Sequence, residues 1–286
     1  MKCHLTQFGA IHPRGVVALK ASPCGQYLGV SRDDGMIEVY LRRQLLHRIP
    51  LGPEQNLPLP LCWRGTKLLV GIRNEVIPID VVGGTVGEPL RVGGAVTALA
   101  LHGELFVGVD KGTVEVYAPD TTLVAQLHHN KGATLSLACS ETAIFAGTEE
   151  GLVVGWRRKA GPQFELFFSV LAAERGRQNT YDQTRQLIPR RKRERDTTTP
   201  VHAVAVVDDT TIVVGVCTGK VQFWDTKTTT VIAEFHEHQA DVLALAVRTK
   251  VGKSQVYAAG VDFKTVLFEV TDGKWECRLR QRRHTH

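Results

Sequence analysis

Apolar residues fall along this chain in short runs, many of them alternating with polar ones, and small clusters of Gly, Asp, Asn, Pro and Ser separate the runs. Such runs predict short β-strands divided by turns. The first set is Val16 to Ala21, Tyr27 to Ser31 and Met36 to Leu41, with turns at Ser22-Pro23-Cys24-Gly25 and Asp33-Asp34-Gly35. Beyond the polar break at Arg42 a weaker strand, Gln44 to Leu51, completes what reads as one antiparallel sheet of four strands. A further short strand, Lys2 to Phe8, precedes Pro13-Arg14-Gly15.

The same order returns. The second unit is Leu59 to Trp63, Lys67 to Ile72 and Glu75 to Val81, the last expected to be interrupted by Pro78. The third is Val96 to Leu101, Leu105 to Val109 and Thr113 to Tyr117; the fourth is Thr134 to Cys139, Ala143 to Gly147 and Leu152 to Trp156. The fifth is Val201 to Val207, Thr211 to Val216 and Lys220 to Trp224, and the sixth is Val242 to Val247, Gln255 to Gly260, Thr265 to Val270 and the outer strand Trp275 to Gln281. Taken at the turn between second and third strands, the repeat positions are Gly35, Asn74, Gly112, Gly151, Gly219 and Lys264, at intervals of 39, 38, 39, 68 and 45 residues. Gly or Asn there supplies the positive φ of a tight hairpin. The best-preserved copy is Gly219-Lys-Val-Gln-Phe-Trp-Asp225, whose Gly219, Trp224 and Asp225 read as blade-building residues.

A period of roughly 40 residues with a Trp-Asp ending predicts an all-β chain, a WD-repeat β-propeller with six recognisable four-stranded blades. One small apolar face cannot stabilise a four-stranded sheet alone, so consecutive blades must cover one another. The expected organisation is a single propeller domain over 1–286. The sixth unit has its own outer strand, so Lys2 to Phe8 has no partner sheet. That predicts part of a seven-bladed ring in a longer tandem-propeller protein, with an open six-bladed arc closed by a partner as the alternative.

The 68-residue interval marks an insertion at about 172–199, between the fourth and fifth blades. Between Glu174 and Asp196 it holds eight basic and four acidic residues, with Arg190, Arg191, Lys192, Arg193 and Arg195 nearly contiguous. With few apolar side chains the segment predicts a surface loop. Its arginines are candidates for phosphate contact with RNA, against two plainer readings, a nuclear-import signal and a solvated loop. Tyr181 alone is too little aromatic content to predict base stacking there. Elsewhere the charge is ordinary: 35 Lys and Arg against 29 Asp and Glu give +6, a mild excess that favours polyanionic partners without requiring one. Arg278, Arg280, Arg282 and Arg283 carry much of the remainder.

Cys3, Cys24, Cys62, Cys139, Cys217 and Cys277 are scattered, without metal-ligand spacing, and are expected to be reduced thiols, mostly buried beside apolar strands, as in a cytosolic or nuclear protein. The opening MKCHLTQFGAIHPRG lacks the apolar core of a signal peptide, and no apolar run approaches the roughly 18 residues of a membrane span, so a soluble protein without membrane contact is expected. Catalytic signals are weak. Gly215 to Val221 has one residue too few between its glycines for a phosphate loop, lacks the hydroxyl residue after Lys220 and leads into a strand. His236 with His238, and His284 with His286, have no partner at ligand spacing, and hydrogen-bonded or exposed histidines are expected instead. Asp241 fits a blade turn better than a catalytic acid, and no nucleophile elbow occurs. Neither an enzyme nor a cofactor or small-molecule substrate is expected.

GKVQFWD at 219–225, SRDDGMIEVY at 31–40 and the closing Arg283-His-Thr-His286 resemble the N-terminal propeller of the cirhin family, with the intervening blades poorly matched. The resemblance implies a nucleolar scaffold of tandem propellers in the UtpA subcomplex of the small-subunit processome. Its partners would be other UtpA subunits and the 5′ external transcribed spacer of pre-rRNA. The long Arg-rich insertion departs from the family pattern. The competing reading is a peptide-binding adaptor, such as a ubiquitin-ligase substrate receptor or a signalling scaffold.

Overall fold

The computed structural model describes residues 15–52, 59–159, 161, 163–172, 199–250 and 253–282. Among them every helical or strand element is a β-strand. The chain divides into two compact units, Met1–Val92 and Gly93–His286.

The first unit holds two sheets. One has the order β1 (Val16–Ala21), β2 (Tyr27–Arg32), β3 (Met36–Leu41), β4 (Gln44–Pro50). The other runs β5 (Leu61–Arg64), β6 (Lys67–Ile72), β7 (Glu75–Asp80), after which β8 (Thr85–Val86) and β9 (Leu90–Arg91) both pair with β7. Ile37 and Val39 on β3 pack with Trp63, Leu68, Val70 and Ile79 of the second sheet. Burying such side chains contributes about 1.5–3 kcal/mol each.

The second unit holds four sheets in plain sequence order. They are β10 (Val96–His102) to β13 (Leu123–His128) through β11 (Glu104–Val109) and β12 (Thr113–Tyr117); then β14 (Thr134–Cys139) to β17 (Phe164–Leu171) through β15 (Ala143–Thr148) and β16 (Leu152–Arg158). Next come β18 (Val201–Val206), β19 (Thr211–Val216), β20 (Lys220–Asp225) and β21 (Thr230–His236), and finally β22 (Val242–Lys250), β23 (Lys253–Gly260), β24 (Lys264–Thr271) and β25 (Lys274–Arg282). Neighbouring sheets share cores. Phe106, Val114 and Val116 meet Ile144, Val154 and Trp156; Phe145 and Phe168 meet Ile212, Val214 and Trp224; Val213, Val221 and Phe223 meet Val256, Val266 and Phe268. These up-and-down antiparallel sheets are blades of a WD-repeat β-propeller fold, as the strand spacing predicts.

Five of the six described sheets share a bulge that the strand pattern does not announce. β1, β10, β14, β18 and β22 each shift register after their first residue, leaving Val17, Thr97, Leu135, His202 and Leu243 outside the ladder. An extra residue there sharpens the local twist and redirects one side chain. The Thr97 hydroxyl uses this to reach the Thr134 carbonyl of the next blade, and His202 approaches Asp241 at 3.6 Å.

Three expectations need correction. β7 runs unbroken through Pro78, which pairs with Leu69. Its carbonyl accepts from Gly87 N at 2.8 Å, so the missing N–H faces the outer position, and the outer strand is split there into β8 and β9. Secondly, the positive φ expected of Asn74 before β7 is carried by Arg73 (φ 49°), and before β24, where the repeat position has neither Gly nor Asn, Phe263 carries it (φ 58°). The turn before β24 is thus Val261-Asp262-Phe263, with Phe263 where Asp33-Asp34-Gly35 has its glycine. Thirdly, of the described cysteines only Cys62 is buried; Cys24 is exposed and Cys139, Cys217 and Cys277 are intermediate. Lys2 to Phe8 and residues 173–198 of the predicted insertion lie outside the described residues.

Candidate functional site

In the fifth blade, Gly219 has φ 80°, and a β-carbon on it would collide with the His238 carbonyl, so the position admits only glycine without movement. Trp224 is buried edge-on against Phe168, with centroids 6.3 Å apart, and its indole N–H donates to Gln222 Oε1 at 3.2 Å. The Asp225 carboxylate accepts from the backbone N–H groups of Thr228 (3.1 Å) and Lys227 (2.7 Å), which hold its pKa below the usual range and close the turn into β21. All three residues serve the blade in this geometry.

Arg190, Arg191, Lys192, Arg193 and Arg195 lie outside the described residues. The two roots of their segment are described, and both meet one turn. Ala172 N donates to Gly151 O at 2.9 Å, and a β-carbon on the same glycine would collide with the Thr199 carbonyl. The basic segment therefore leaves and rejoins the fold at the turn Glu149-Glu150-Gly151.

A polar device recurs in three blades, and strand periodicity alone does not reveal it. On β3, Glu38 accepts from Tyr40 OH (2.9 Å), from Arg32 Nε and Nη2 (2.9 and 2.7 Å) and from Arg48 Nη2 (2.9 Å), the last directly opposite it on β4. On β12, Glu115 accepts from Tyr117 OH (2.7 Å), from Gly93 N (3.1 Å) and from Gln126, opposite it on β13. On β20, Gln222 stands in the same place, between Trp224 and the opposing Glu234 (2.6 Å). The legible signal is Glu-Val-Tyr at both 38–40 and 115–117, matched by Gln-Phe-Trp at 222–224. Burial opposes the charge on Glu38, but its Arg32, Tyr40 and Arg48 donors outweigh that and lower its pKa.

His238 is fully buried, with Nδ1 2.9 Å from Asp262 Oδ1, while Gln239 N donates to Asp262 Oδ2. Burial works against the Asp262 carboxylate, yet the His238 ring and the Gln239 and Lys264 amides bring its pKa down to about 2. This pair pins the Phe263 turn to the loop before β22. His129 Nε2 meets Thr134 Oγ1 at 2.8 Å; burial, with a smaller push from His128 against the pull of Glu150, lowers its pKa to about 4. Among the described residues no three His, Cys, Asp or Glu side chains converge as metal ligands. Gly215 lies inside β19 and Lys220 opens β20, its Nζ 2.8 Å from Glu234, so no phosphate loop forms.

At the β3–β4 end of the first blade, Gln26, Tyr27, Leu41, Arg42 and Gln44 line a cleft of about 470 Å³. Arg42 N donates to Gln26 O at 3.0 Å, joining the β3–β4 turn to the β1–β2 loop. Tyr27 stacks on Trp63 with centroids 6.3 Å apart.

No family model matches the chain. Among solved structures it is similar to that of U3-55K, with a TM-score of 0.70 and 14% identity over 94% of this chain and 82% of that one. It is similar also to the computationally designed protein Ika8, with a TM-score of 0.64 and 19% identity over 92% and 73%. These likenesses bear on fold. In sequence, the chain is 26% identical to the human U3 small nucleolar RNA-associated protein 4 homolog over 303 aligned positions, and 24% identical to the mouse protein. The whole of this chain is thus similar, at low identity, to 41% of the length of those U3 small nucleolar RNA-associated proteins.

Proposed function

We propose that the chain is a non-enzymatic interaction scaffold in ribosome biogenesis. It works in the nucleolus within the UtpA subcomplex of the small-subunit processome, in early pre-18S rRNA processing and assembly. The observation that carries this reading is end-to-end similarity to the U3 small nucleolar RNA-associated protein 4 homologs, found on a blade fold. Blade surfaces bind protein segments, and Arg190, Arg191, Lys192, Arg193 and Arg195 contact pre-rRNA, the 5′ external transcribed spacer in particular.

Affinity purification of the tagged natural protein, with crosslinked RNA sequenced alongside, tests the reading. Processome subunits and 5′ spacer sequence are the expected yield. Ubiquitin-ligase or kinase components without pre-rRNA would replace it with the adaptor reading. Alanine at the five basic positions is expected to reduce RNA affinity and flatten its salt dependence, by about 0.7 in log–log slope per lost phosphate contact.

A further inference from the structure

The hairpin joining β3 to β4 turns through two residues, Arg42 (φ 52°) and Arg43 (φ 104°), both left-handed. A two-residue hairpin with both φ values positive ordinarily takes Asn-Gly or Asp-Gly, because a β-carbon is disfavoured there. The same protein supplies the comparison: the β24–β25 hairpin, also of two residues, uses Asp272 (φ 50°) and Gly273 (φ 74°). Two arginines in this turn are therefore a conformational cost. The fold does not visibly recover it, because both side chains are exposed and neither forms an ion pair within the described residues.

What the turn does achieve is placement. Arg42 lines the cleft described above together with Gln26, Gln44 and Tyr27, whose ring is braced by Trp63. Two unneutralised guanidinium groups match phosphate oxygens, an aromatic ring at the cleft wall matches a base, and two carboxamides match base edges. An acidic peptide would engage the same arginines, and competition by polyglutamate separates it from RNA. We infer that this end of the first blade is a contact site for single-stranded RNA, separate from the basic insertion, with Arg42 and Arg43 on phosphates and Tyr27 against a base.

This inference rests on the RNA reading of the protein, and the test separates the two. In the full chain, Arg42→Asp with Arg43→Gly installs the β24–β25 turn in place of the arginines. The melting temperature is expected to rise by about 2–4 °C while affinity for a fluorescent oligouridylate falls roughly tenfold and its salt slope shrinks by about 1.4. Tyr27→Leu, which keeps bulk beside Trp63, is expected to weaken binding severalfold at an unchanged salt slope. A higher melting temperature with unchanged affinity and slope would overturn the site and leave the insertion as the RNA contact. Failure of the unaltered chain to bind oligouridylate would overturn both. Equal competition by polyglutamate would reassign the cleft to acidic peptides and overturn it as well.

Discussion

Glu38 gathers three donor side chains in the first blade. Its carboxylate is 4% exposed and answers donors from Arg32, Tyr40 and Arg48. The Arg32 and Arg48 side chains are 23% and 44% exposed and regain water when the carboxylate is removed, so the cost of losing its charge-assisted hydrogen bonds is about 1–2 kcal/mol. Glu38→Gln is expected to destabilise by about that amount in chemical denaturation; a loss within measurement error would mean that the arginines re-solvate freely. The Glu-Val-Tyr sequence was visible in the chain. Its meaning was not, because a mid-strand glutamate reads as a solvent-facing position until the strand opposite is known. Arg48 and Gln126 become partners only through the register of β4 and β13.

At the level of strands and turns the chain was easier to read. The inner three strands of nearly every blade follow from apolar runs between turn residues. The outer strands β13, β17 and β21 were not foreseen: exposed on one side, they carry Gln126, Glu165 and Glu234 among their apolar residues and lack a clear period. The repeat turns are legible by Gly or Asn, so Arg73 and Phe263, which carry the positive φ at two of them, are not. Phe263 is the costlier of those. A bulky residue at φ 58° is disfavoured by about 1–2 kcal/mol, and Phe263 as a whole is 65% exposed, so packing offsets little of it. Phe263→Gly is therefore expected to stabilise by about 1 kcal/mol, seen as a higher unfolding midpoint. Destabilisation would show that the ring contributes more than its exposure suggests.

Unfolding in acid integrates over the whole molecule, Glu38, Glu104 and Glu234 included, and two further groups show its sign most clearly. The His129 pKa lies at about 4 against an ordinary 6.5, so between those values the unfolded chain binds the extra proton and stability falls as pH falls. Asp262, at about 2 against 3.8, contributes stability that is fully present above its ordinary value and is lost as pH drops towards 2. Two successive declines are expected in urea unfolding free energy, the first between pH 6.5 and 4. His129→Gln should remove that first decline and leave the second; an unaltered slope between pH 6.5 and 4 would assign it to other groups. The basic segment that carries the proposed RNA contact was legible in sequence as charge alone. The Arg42-Arg43 cleft was not, since two arginines in a polar break say nothing of φ or of the loop they join.

The polar device on alternate blades also addresses a hazard of repetition. Six similar meanders in one chain invite a third strand to take the wrong fourth strand while the protein folds. Were β3 to pair with β21, Glu38 would lie across from Glu234; were β20 to take β4, Gln222 would face Arg48 and Glu234 would lose its partner. An exchange of outer strands between the first and fifth blades would thus set unmatched groups face to face, and that mismatch favours each of these two third strands keeping its own neighbour.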